Sequence, residues 1–148
     1  MTPLLGAVAA VLVLVAQAAW IRRTFVVVTV AGRSMVPTFE PGDRVLARRA
    51  GPGRVKTGDV VIVGPAAGAT VEPAPDRHAL VIKRLAAMPG DRVPRQEVPA
   101  LAEVPEWTVP PGKMVLLGDA PESADSRQLG YFDTERLVGR VVRRMSRG

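Results

Sequence analysis

Hydrophobic and polar positions divide the chain into two regimes. Residues 3–21, PLLGAVAAVLVLVAQAAWI, carry only Gln17 as a clearly polar side chain, and a run of this kind is close to the ~20 residues that cross a bilayer core. Trp20 and then Arg22-Arg23 close it with an interfacial aromatic and two cations able to snorkel to the headgroups. The pattern predicts a transmembrane anchor over 3–21. A cleaved leader is the rival reading, but the basic segment that should precede it is missing and the apolar run is longer than usual for one. The positive-inside tendency favours keeping Arg22-Arg23, and the residues after them, in the cytoplasm; a basic leader ahead of Met1 would reverse that bias.

After Arg23 the pattern changes to short β-branched runs: TFVVVTV (24–30), DRVLARR (43–49), DVVIV (59–63), HALVIKRLAAM (78–88), KMVLLGD (113–119) and RLVGRVVRRM (136–145). Pro-Gly, Thr-Gly-Asp and Gly-Pro punctuation bounds them, as strand ends require, and no 3.6-residue period competes. The expectation is a mainly β domain over 24–146, an antiparallel coiled or barrel-like sheet preceded by one N-terminal transmembrane helix. Two proline-rich stretches, 64–77 and 94–112, read as surface excursions.

Composition narrows the chemistry. With 148 residues the chain has room for one domain, and 47% hydrophobic residues with a mean hydropathy of +0.16 fit an anchored rather than a wholly soluble protein. There is no cysteine and a single histidine, His78, which excludes disulfides, thiolate nucleophiles, cysteine-zinc sites and most histidine-metal arrangements. The net charge of +6 is carried almost wholly by arginine, but the arginines are scattered and aromatics make up 4%. A nucleic-acid surface needs a basic stripe with aromatic or helix-borne readers. A solvated basic surface near anionic lipid suits this pattern better.

Three positions stand out as candidate chemistry. Lys83 lies in the run ALVIKRL with apolar neighbours on both strand faces, sharing its own face with Val81 and Leu85. It snorkels from an edge, pairs with a carboxylate, or is desolvated until its amine becomes a usable general base. Ser34 follows a strand in AGRSMVPT, where Gly32 allows unusual backbone and Pro37 fixes the exit; it is an ordinary turn serine or a rigidly presented nucleophile. The loop GDAPESADSRQLGYF (118–132) crowds Ser123, Asp125, Ser126 and Arg127 between two apolar runs, and a hydroxyl there could aim an amine. His78 is an alternative base for Ser34, without a recognisable acidic partner.

These segments, in the order GRSMVPTFEPGD, VIKRLAAMPGD and LLGDAPESADSRQLG, resemble the characteristic boxes of the type I signal peptidases, membrane-anchored Ser/Lys endopeptidases. The resemblance runs from the anchor to Arg140. It implies that Ser34 is the nucleophile, Lys83 the general base and Ser123 the serine that orients the lysine. Asp125 and Arg127 would brace the active-site loop, while Met35, Pro37 and Thr38 shape the surroundings of Ser34. The Ser34 backbone N–H is the implied oxyanion donor; a second donor, a serine in some members, falls at Gly32 here. The last box is one residue shorter before Ser123 than the common form, with Ala120-Pro121 in place of the usual Asn-Arg. Only about twenty-five residues separate MPGD from that box, which implies a minimal single-anchor form, as in Gram-positive bacteria, without the cap of larger members.

The implied partners are signal peptides of exported preproteins, the lipid bilayer and the secretion translocon, with no nucleic acid, metal or cofactor. The implied place is the cell membrane, single-pass, with the catalytic domain extracytoplasmic. The run before Ser34 and the strand bearing Lys83 would wall shallow pockets for small residues. Other readings stay open at this stage: a protease dedicated to one precursor, a self-cleaving repressor-type Ser/Lys protease, and a catalytically silent membrane protein that binds exported peptides.

Overall fold

A computed structural model describes residues 2–65 and 80–145. His78 and most of the 64–77 stretch lie outside the described residues. Helix α1 spans Thr2–Thr24; over Gly6–Thr24 its mean hydropathy is 1.4 and none of it is buried against the rest of the protein. At 1.5 Å per residue its 23 residues reach ~34 Å, enough for a ~30 Å hydrocarbon layer. A helix apolar all round and unburied in its own protein needs an apolar surround.

The remaining chain is built on strands β1 Phe25–Thr29, β2 Arg44–Arg49, β3 Val60–Val63, β4 Val81–Ala87, β5 Lys113–Leu117, β6 Phe132–Asp133 and β7 Leu137–Met145. They form one antiparallel sheet in the order β1-β2-β7-β3-β4-β5-β6. Each expected run holds a strand within its described residues, shorter than the run itself. The two-residue β6 and the single-turn helix α2, Ser126–Leu129, are too short for a periodic signal. The expected barrel-like closure is not present: β1 and β6 are free edges among the described residues, and a two-residue edge strand offers too short a ladder to seal against β1.

The central strands are covered on both faces. Ile62 and Ile82, cross-strand partners on β3 and β4, join Val45, Ala47, Met35 and Phe39 in one cluster. Val61, Val63 and Leu85 point the other way, into a cluster with Met114, Leu116 and Phe132. This two-sided burial explains why β3 and β5 read as continuous apolar runs rather than alternating ones. The stretch 94–112 is more than an excursion. Val98, Leu101 and Val109 are buried at 0–2% exposure and pack with Ala87, Val93 and Val115 as a third cluster; its prolines hid an apolar set too irregular for a period of 2 or 3.6.

Candidate active site

Ser34 stands on the segment that joins β1 to β2. That segment is pinched at its base, where the Val30 N–H donates to the Asp43 carbonyl (2.8 Å) and the Gly42 N–H to the Val30 carbonyl (2.7 Å). Gly42 has φ +90°, a conformation that side chains resist. Within the segment, Met35 and Phe39 are buried in the first core cluster and joined by a Phe39 N–H to Met35 carbonyl bond of 2.8 Å. Two buried pegs thus fix a short turn and leave Ser34 half-buried at its start.

Lys83 comes from the middle of β4, directly opposite Val61, and only 5% of it is exposed. Its Nζ donates to the Ser123 Oγ at 2.6 Å. Burial pushes the lysine below its ordinary range; the charge of Asp125 opposes that shift and the charge of Arg127 reinforces it. No hydrogen bond joins Lys83 Nζ directly to the Ser34 hydroxyl among the described residues.

Gly118 brings the two together. Arg84 pairs with Leu117 across β4 and β5, so the next antiparallel step sets Gly118 beside Lys83. A Cβ on Gly118 would stand 2.1 Å from the Ser123 Oγ and 2.5 Å from the Ser34 carbonyl oxygen. Ser34 and Ser123 therefore meet across a bare glycine, next to the lysine. The Ser34 carbonyl also accepts the Ala120 N–H at 3.0 Å.

The loop that supplies Ser123 is tied internally. Asp125, fully buried, accepts the Gly118 N–H at 2.7 Å and the Arg127 N–H at 3.0 Å, and pairs with the Arg127 guanidinium at 3.4 Å. Asp125 caps α2, with Gln128 reaching back to the Asp125 N–H. Arg127 donates to the carbonyls of Gly118 (2.9 Å), Pro121 (3.2 Å) and Ala120 (3.3 Å). Ser126 accepts the Leu116 N–H at 2.9 Å. These bonds give the loop's buried carboxylate and several of its backbone groups a partner, as buried polar groups require.

A second brace was not assigned from sequence. Asp119 receives both Arg84 Nε (2.8 Å) and an Arg84 terminal nitrogen (2.6 Å), and also the Thr38 hydroxyl. The Arg84 hydrogen bond holds the Asp119 carboxyl below the usual carboxylate range, with Thr38 adding to it. This fork links the Ser34 turn, β4 and the end of β5. Arg84 and Asp119 lie inside the Lys-Arg and Gly-Asp dipeptides of the quoted boxes and Thr38 inside the first box, but nothing in their spacing names them as partners.

A cavity of about 100 Å³ opens at Ser34, lined on one side by the run from Thr29 to Gly32 with Met35 and on the other by Leu80, Val81 and Ile82. Its walls are the two segments expected from sequence. Pro37 is not among the lining; it is exposed, after a cis Val36–Pro37 peptide. Gly32 corrects its reading. It is not one of the positive-φ glycines, and a Cβ there would meet nothing within 4 Å, so room beside Ser34, rather than backbone freedom, is what glycine leaves here.

A buried amine whose pKa is lowered by burial, a hydroxyl on a rigid turn, a second hydroxyl bonded to the amine and an adjoining cavity are the parts that base-assisted nucleophilic attack needs. A search of curated proteins returns no match. The family model described as signal peptidase, peptidase S26, matches residues 4–101 and 94–146, together nearly the whole chain. By this match, with which the architecture is consistent, the chain belongs to the signal peptidase S26 family.

Proposed function

We propose that the protein is a membrane-anchored serine endopeptidase that removes signal peptides from exported preproteins, with Ser34 as nucleophile and Lys83 as general base. The observation that carries the reading is the setting of Lys83, an amine buried in an apolar strand whose hydrogen-bond partner is a hydroxyl rather than a carboxylate. A carboxylate would hold the lysine charged; a hydroxyl leaves it free to be neutral.

In the neutral amine, one N–H goes to Ser123 and the lone pair is left for the Ser34 proton. The Ser34 oxygen attacks the scissile carbonyl, the C–N bond breaks, and the Lys83 ammonium returns its proton to the leaving amine. Water deprotonated by Lys83 then hydrolyses the ester and frees Ser34. The Ser34 N–H serves the oxyanion, and the chain's own groups carry every step. Substrate lies extended along the free edge of β1, and a cavity of about 100 Å³ suits alanine-sized side chains. Helix α1 holds this arrangement at the bilayer, with the catalytic domain on the extracytoplasmic face.

Ser34→Ala and Lys83→Ala should each abolish cleavage of a membrane-presented preprotein while circular dichroism stays native. Wild-type-like cutting by Lys83→Ala overturns the dyad, and peptide binding without cleavage by the wild type points to a silent receptor. The rate should rise with pH as Lys83 loses its proton; a limb near the ordinary histidine value of ~6.5 would make His78 the base. N-terminal sequencing of exported proteins in a depleted strain separates a general from a dedicated enzyme.

A further inference from the structure

At the end of the β1–β2 pair opposite the Ser34 segment, Arg48, Arg49, Ala50, Arg54 and Arg140 line a surface cleft of about 380 Å³. Four guanidinium groups in one cleft repel one another unless an anion lies among them. Arg140 is partly offset by Asp59, 3.6 Å away; among the described residues Arg48, Arg49 and Arg54 have no ion pair, and all three are exposed. The cleft has a fixed floor. Arg48 faces Arg140 and Arg49 faces Gly139 across β2 and β7, and at Gly139 the strands come so close that a Cβ would lie 2.4 Å from the Arg48 carbonyl oxygen.

Its position decides what the anion is. Arg48 is the cross-strand partner of Phe25, and Phe25 follows directly on Thr24, the last residue of α1. Neighbouring strands lie ~4.8 Å apart, so the cleft is level with the point where the chain leaves the membrane. A headgroup layer is several ångströms thick, and Arg22 and Arg23 at the end of α1 stand on the same level. The planar guanidinium fork matches phosphate oxygens in pairs.

We propose that this cleft is a binding site for the phosphate headgroup of an anionic phospholipid, which seats the domain against the membrane surface beside its anchor. The site rests on α1 entering the bilayer and is independent of the Ser34/Lys83 chemistry. It also gives the arginines that flank the anchor on the domain side an anionic partner in the lipid of that same side.

The full-length chain in neutral detergent, carrying Ser34→Ala so that cleavage plays no part, can be given equal amounts of dioleoyl phosphatidylglycerol and dioleoyl phosphatidylcholine. Native mass spectrometry then counts the lipid retained. Phosphatidylglycerol should be preferred by about tenfold. Arg48→Gln/Arg49→Gln/Arg54→Gln, three exposed positions without ion pairs, should bring the two lipids near parity. The control Arg44→Gln/Arg92→Gln/Arg143→Gln, equal in charge removed but away from the cleft, should keep the preference. Preference that survives in the cleft variant, or falls equally in the control, overturns the site. Displacement of phosphatidylglycerol by equimolar inorganic phosphate overturns the lipid in favour of a free phosphate.

Discussion

Because water solvates an ammonium better than the interior around β4 does, folded protein binds the Lys83 proton less tightly than the unfolded chain does. Folding stability then rises with pH between the lowered folded value and the unfolded value of ~10.4, and below the folded value the burial penalty is present in full. Lys83→Met keeps the volume and removes the charge. It should raise the urea midpoint of the inactive domain at pH 7, and the midpoints should converge with wild type as pH approaches ~10.4. A variant less stable than wild type at pH 7 would mean that the buried amine is a net stabilising partner of Ser123. Gly32 makes the opposite kind of test, by addition. Its empty surroundings should accept Gly32→Ser with little change in unfolding midpoint, and a hydroxyl placed there should raise kcat by up to ~10² if it reaches the oxyanion. Gly32→Ala fills the same space without a donor and should leave kcat unchanged.

Two loops bring Ser34 and Ser123 to Lys83 on β4, and their meeting depends on Gly118. Gly118→Ala would place a methyl against both Ser123 and the Ser34 carbonyl, so one loop must retreat. Overpacking of this kind costs about 1–3 kcal/mol, and a displacement of ~1 Å at a reacting group lowers the rate ~10²-fold. Peptide cleavage and urea midpoint measured on one preparation should show both losses; full activity in Gly118→Ala would mean that the two loops do not need this contact. The strands were readable because Val, Ile and Leu cluster in runs that glycine and proline interrupt. Ser34, Lys83, Ser123, Asp125 and Arg127 were readable because they sit in unusual short motifs. What stayed hidden depends on contact between distant segments: the Arg84–Asp119–Thr38 fork, the packing of Val98, Leu101 and Val109 behind prolines, and the open edges of the sheet. Local pattern contains no term for which distant residue will arrive opposite.

Helix α1 meets the β domain only near its junction with β1 and β2, and no residue from Gly6 to Thr24 is buried, so the two should separate cleanly. A chain starting at Thr24 should unfold at the same urea concentration as full-length protein in detergent and cleave a soluble peptide at a similar rate. Its advantage on a vesicle-bound preprotein should be lost, because the anchor supplies a high effective concentration at the membrane. Unfolding at markedly lower urea would show that the anchor supports the fold as well as the location. The strand order has a further consequence, in time rather than in space. β7 is the last strand of the chain, yet it lies between β2 and β3, joining the hairpin that flanks Ser34 to the strands that bear Lys83. A nascent chain has synthesised both residues long before it has the strand that unites their parts of the sheet, and synthesis proceeds at only ~5–20 residues per second. Its anchor can therefore enter the membrane before the sheet is continuous, and in a copy cut short before residue 137 the Ser34 turn meets β3, β4 and the end of β5 through the Met35 and Phe39 packing and the Thr38–Asp119 bond, with no strand hydrogen-bonded between β2 and β3.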